Sequence, residues 1–147
     1  MSTDSKMANF YPFAAFYPLA ARILLSLVYL INGVAMLANF SDVSALMASK
    51  GLPAPNVLLI LTIALWLVGG ACLVVGWWAR LAAYVLFFVT IPVTLIFHAP
   101  WAVDPAQLHN ELNHFLKNLA ILGGLLYFVA FGPGLYSLDS RKTIAFT

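Results

Sequence analysis

Charge is what this sequence has least of. Lys and Arg number 7, Asp and Glu 5, and charged residues make up 8% of the 147. Soluble domains carry about 25% charged residues. With 63% of its residues hydrophobic, a fold of this size cannot keep its surface in water, which excludes a water-soluble enzyme and a disordered tail. A net charge of +2 is too small to attract a polyanion, so nucleic acid is not an expected partner. Cysteine is nearly as scarce. Cys72 stands alone, so one chain has no internal disulfide, no Cys-x-x-Cys thiol relay and no zinc site needing two thiolates. Nor is there a glycine-rich nucleotide motif, an internal repeat or a low-complexity tract.

What is present is long uncharged runs. Residues 23–41, 51–79, 81–103 and 118–138 carry no charge and are between 19 and 29 residues long. Each suits a membrane-spanning helix of about 20 residues. Backbone groups in hydrocarbon must be satisfied within the segment, and the runs are apolar on both parities, so helices are expected rather than barrel strands. The expected fold is all-α: a polytopic four-helix membrane bundle with spans near 19–39, 56–76, 80–99 and 112–131. A polar and aromatic segment 1–18 precedes it and a tail 140–147 follows. The first span reads as retained, because its apolar run exceeds a signal-peptide core.

Lys6, Arg22, Arg80, Arg141 and Lys142 fall at one surface and Lys50 and Lys117 at the other. By the positive-inside rule both termini are cytoplasmic. Between spans two and three, Gly76-Trp77-Trp78-Ala79-Arg80 is a tight inner turn whose tryptophans suit the headgroup region. The outer connections carry short helices. Residues 40–49 read as a surface helix with Ser41 as N-cap, laying Val43, Leu46 and Met47 on the membrane. Asp104-Pro105-Ala106-Gln107 reads as a helix start, so the fourth helix begins near Pro105, above the membrane. Pro92 should kink the third span, and Gly132-Pro133-Gly134 ends the fourth.

The polar residues able to carry chemistry gather on the outer side. They are His98, His109, His114 and Glu111, with Asp104 nearby. Glu111 and His114 are helix neighbours, whereas His109 and His114 diverge by about 140° at 100° per residue. A metal or haem site combining His98, Glu111 and His114 is one reading. Interfacial histidines bonded to water and lipid headgroups are the other. Lys117 and Asn118 lie inside the apolar stretch of the fourth span. Lys117 either snorkels to the surface or points inward to Glu111, Asp104 or a bound polar headgroup. Asn32, deep in the first span, needs a partner on another helix or in a ligand pocket. Trp66, in the middle of the second span, either packs between helices or stacks on a planar ligand.

Several segments together resemble the DoxX family over residues 19–139. They are Arg22-Ile23-Leu24-Leu25-Ser26-Leu27 through Asn32-Gly33; Gly51-Leu52-Pro53; Gly69-Gly70 with Gly76-Trp77-Trp78-Ala79-Arg80-Leu81-Ala82; Phe97-His98 with Trp101 and Asp104; Phe115 through Gly124; and Gly132-Pro133-Gly134-Leu135-Tyr136-Ser137-Leu138-Asp139. The resemblance implies a bacterial inner-membrane protein and a redox-linked, quinone-associated role as accessory subunit or oxidoreductase. Two positions depart from the family pattern. Met36 stands where relatives often have a lysine, and Ala64-Leu65-Trp66-Leu67-Val68 where many have a glutamate.

On that reading His98 and Lys117 hydrogen-bond a quinone, Trp66 stacks on its ring with Asn118 beside it, and Glu111 or His114 relays protons. Electrons then come from a bound cofactor or a partner. The competing readings are a non-catalytic scaffold, homo-oligomeric or bound to another membrane or redox subunit, and a path for a small molecule.

Overall fold

The computed structural model describes residue 13 and residues 15–144. The expected N-terminal segment lies outside the described residues up to residue 12 and at residue 14, as does the tail beyond 144. Every described element is helical: α1 (Tyr17–Ala38), α2 (Phe40–Ser49), α3 (Pro55–Val75), α4 (Ala79–Phe97), a 3-10 turn (Pro100–Ala102), α5 (Pro105–Phe131) and α6 (Leu138–Ile144). Four of them, α1, α3, α4 and α5, are long and apolar enough to cross a membrane.

The packing order is α1 on α3, α3 on α4 and α4 on α5. Each helix buries a narrow stripe at three- and four-residue spacing. On α1 it is Arg22, Ser26, Tyr29 and Gly33; on α4 it is Ala79, Ala82, Ala83, Leu86, Thr90 and Thr94. Lipid is as apolar as leucine, so close van der Waals fit rather than water exclusion holds these stripes together. Glycine supplies the closeness: a Cβ on Gly70 would stand 3.0 Å from a methyl of Leu30, and one on Gly69 would stand 2.9 Å from Leu86 Cγ. The main core joins Tyr29, Trp66, Leu73, Leu86, Leu125 and Phe128.

Local expectations are corrected in places. Val43, Leu46 and Met47 of α2 do not form one exposed face. Met47 is buried against Leu59 and Ile63 of α3, while Leu46 is exposed. Asn39, not Ser41, occupies its N-cap position. Asn32 reaches no other helix; it is exposed and donates to Val28 O of its own helix at 2.7 Å. Gly33, next to it, is the residue that packs, against Leu67. Pro92 lies within a continuous α4. Asp104 is the N-cap of α5 by position, with Pro105 following, but its side chain makes no capping bond. Cys72 lines an apolar groove of about 270 Å³ between α3 and α4, beside Trp77 and Trp78.

Candidate functional site

At one end of the bundle the closing motif is a clamp. The tight turn between α3 and α4 forces left-handed backbone at Gly76 (φ 69°) and at Trp78 (φ 47°). Such a conformation is costly for tryptophan and persists when neighbours hold it. Asp139 does the holding. Its two carboxylate oxygens accept from Trp78 N–H and Ala79 N–H, each at 2.9 Å, and its own N–H donates to Gly76 O at 2.9 Å. The carboxylate thereby caps α4 and meets the positive end of its dipole. Arg22 is 0% exposed, donates from Nη2 to Tyr136 O and feels the charge of Asp139. Arg80, in the same turn, donates to the terminal carbonyls of α5, Val129 O at 3.1 Å and Ala130 O at 3.2 Å. The arginines and the Ser-Leu-Asp segment therefore tie α1, α4 and the end of α5 to residues 136–139.

The opposite end holds most of the polar residues singled out in the sequence. Thr90, Thr94 and His98 recur every four residues and share a face of α4; Glu111, His114 and Asn118 share a face of α5. The two faces meet. His98 Nδ1 lies 3.2 Å from Glu111 Oε2. A carboxylate only accepts, so Nδ1 carries the hydrogen and a neutral ring keeps a lone pair on Nε2. The His98 and His114 rings stack, with centroids 4.9 Å apart and planes 13° apart. Trp101 meets Phe115 edge to face at 5.6 Å.

Below this cluster the polar contacts continue inward. Asn118 Nδ2 donates to Thr94 Oγ1 at 3.0 Å. The Thr94 hydroxyl donates to Thr90 O, and the Thr90 hydroxyl to Leu86 O, each at 2.7 Å. With its hydrogen so committed, Thr90 Oγ1 accepts from the Tyr29 hydroxyl at 2.8 Å. Tyr29 in turn sets its ring edge to face with Trp66, centroids 5.5 Å apart. A ladder of hydroxyl and amide groups thus joins α1, α4 and α5 through the apolar core.

Of the sequence-predicted site residues, His98, Glu111 and His114 come together, and Asn118 lies one turn deeper. Lys117 does not join them; it is exposed, and no bond links it to Glu111 or Asp104. Trp66 is 8% exposed and packs on Tyr29 rather than beside His98. His109 is exposed and pairs with Asn113 at 3.2 Å. Among the described residues no three His, Cys, Asp or Glu side chains form a group able to hold a metal ion. Sequence reasoning missed Tyr29, Thr90 and Thr94. The four-residue spacing of Thr90, Thr94 and His98 is the signal that points to the two threonines.

An all-helical bundle with four spanning helices and a polar face closed between the last two is an integral membrane protein. Residues 17–99 match the DoxX family, and the chain belongs to it. It is 30% identical over 123 residues to inner membrane protein YphA of Escherichia coli K12, covering 84% of this chain and 88% of that protein. To inner membrane protein YqjF of the same organism it is 31% identical over 121 residues, covering 82% and 88%. It is also 34% identical over 76 residues to the Surfeit locus protein 4 homolog of Schizosaccharomyces pombe, half of this chain and a quarter of that protein. No solved structure matches.

Proposed function

We propose that this chain is a quinone-associated accessory subunit of an inner-membrane redox system, with its head-group site at the His98–Glu111–His114 end. The observation that carries the reading is the His98–Glu111 contact at 3.2 Å, a base and a carboxylate paired where two spanning helices end. A bound quinone would supply two-electron, two-proton chemistry. The residues here would do the protein's part. His98 Nε2 would accept a hydrogen bond or proton from the hydroxyl of the reduced quinol and, once protonated, would donate to a quinone carbonyl; Glu111 would steady the resulting charge, and Trp101 and Phe115 would offer flat apolar walls. The residues suit such a group because the half-exposed pair adjoins lipid-facing surface. The YphA and YqjF names and the placement of Arg22, Arg80 and Arg141 at the other end support an inner-membrane location with the histidine end outward.

The test uses the full chain purified in mild detergent. Organic extraction and a UV–visible spectrum read bound quinone, and tryptophan quenching reads titration with a short-tailed quinone. The expected result is saturable binding in the parent, lost in His98→Ala and Glu111→Gln while both stay monodisperse. A parent that neither retains nor binds quinone overturns the reading.

A second reading, a scaffold for another membrane subunit, is favoured by α5. Just 11% of its most apolar window is buried, and Gly123 on it faces open space. Co-purification with one membrane protein at fixed stoichiometry, without quinone, selects this reading.

A further inference from the structure

The His98–His114 stack has a property that is independent of quinone. Two neutral imidazoles, or one neutral and one charged, stack without penalty. Two charged rings face to face repel. Among the described residues Glu111 is bonded to His98 and not to His114, so one negative charge serves two rings.

Among the described residues no second counter-charge is bonded to the pair. On α5, His109 is tied to Asn113 and Lys117 is exposed. Asp104, in the connection, is exposed, and so are Asp42 and Lys50 of α2. Residues 81–97 of α4 bring no charged group at all, and Thr94 spends its hydroxyl hydrogen on Thr90 O. Immediately inward, the Asn118–Thr94 bond is the next tie between the same two helices. Beside it, the Trp101–Phe115 contact fixes the connecting segment to α5.

We propose that the stacked His98–His114 pair is a proton-operated latch that holds the outer ends of α4 and α5 together and releases them when both rings are protonated. Histidines exchange protons between about pH 5 and 8. Release separates the rings, frees Trp101 from Phe115 and opens the Asn118–Thr94 end of the polar ladder to the outer surface. The proposal concerns the site assigned above and rests on its geometry rather than on its ligand.

The experiment is a pH titration of the full chain in quinone-free lipid nanodiscs. Trp101 emission is isolated as the difference between the parent and Trp101→Phe. The expected result is a reversible shift of that emission between pH 8 and 5. His114→Phe keeps a ring in the stack without a proton and loses the shift; His114→Gln loses it as well and serves if the first variant does not fold. Glu111→Gln removes the negative charge that favours protons on the pair and moves the transition to lower pH. An unchanging parent emission, or a shift of the same size in His114→Phe and His114→Gln, overturns the latch. Because no quinone is present, failure here leaves the quinone reading standing, and failure of quinone binding leaves the latch standing.

Discussion

Asp139 and Trp78 lie 61 positions apart in the chain and are joined by a 2.9 Å bond from the Trp78 backbone N–H to the Asp139 carboxylate. That bond, with its partner at Ala79, makes α6 the cap of α4. Asp139→Ala is expected to cost about 1 kcal/mol, the usual worth of an N-cap, and more if Trp78 cannot keep its left-handed backbone. Asp139→Asn, still an acceptor, is expected to lose less. Thermal unfolding in detergent, compared between the two variants, checks the order.

Arg22 is the charged counterpart of that clamp. Arg22→Gln removes the charge that Asp139 feels and the donor to Tyr136 O. Losing a hydrogen bond from a charged donor costs roughly 1.5–3 kcal/mol. Adding Asp139→Asn to Arg22→Gln is expected to cost less than the sum of the two single changes, since the two positions then no longer interact through charge. Equal additivity in unfolding experiments contradicts the coupling.

Tyr29 and Thr90 form the innermost rung of the polar ladder. A double-mutant cycle of Tyr29→Phe and Thr90→Val is expected to give a coupling of about 0.6 kcal/mol, the average for hydrogen bonds between spanning helices. A coupling near zero means that the two hydroxyls find other partners as readily.

Two glycines should respond in opposite ways. Gly69→Leu drives a side chain into Leu86 and is expected to destabilise by about 1–3 kcal/mol, the cost of overpacking. Gly123→Ala meets nothing within 4 Å and is expected to stabilise slightly, since alanine is the better helix former. If Gly123→Ala instead alters the oligomeric state on native mass spectrometry, the exposed face of α5 is an interface.

For the quinone reading, the arrangement separates two residues that sequence placed together. Lys117→Ala is expected to bind a short-tailed quinone as the parent does, because Lys117 is exposed and apart from His98. His98→Ala is expected to lose binding. Quenching titrations on both variants decide this, and loss in Lys117→Ala moves the site toward the lipid-facing side of α5.

The four spans were legible because hydrocarbon imposes one solution on a long uncharged run. Helix α5 began at Pro105 as its Pro-led start suggested. The meeting of His98, Glu111 and His114 was legible only in part. Glu-x-x-His spacing fixes two side chains on one face, but whether His98 reaches them depends on how α4 rotates against α5. That rotation is set by Ala82, Ala83 and Leu86 packing on neighbours. Arg22 was misleading for a physical reason. An arginine at a span's end usually reaches water or phosphate, and nothing local to residue 22 announces a carbonyl more than a hundred residues away. The same holds for Arg80. The acceptors flank the closing Gly132-Pro133-Gly134 turn, Val129 O and Ala130 O before it and Tyr136 O after it. A turn motif read by itself looks like punctuation.

The clamp has a consequence for biosynthesis. The chain is made from one end to the other, and Arg22 enters the membrane with α1. Its acceptor carbonyl at Tyr136 lies 114 residues further on, and Asp139, whose charge it feels, follows. Until both are made, the α1 guanidinium lacks them and α4 lacks its cap. Closure of the bundle is therefore tied to synthesis past residue 139, and a chain interrupted before residue 136 inserts without the means to lock its ends.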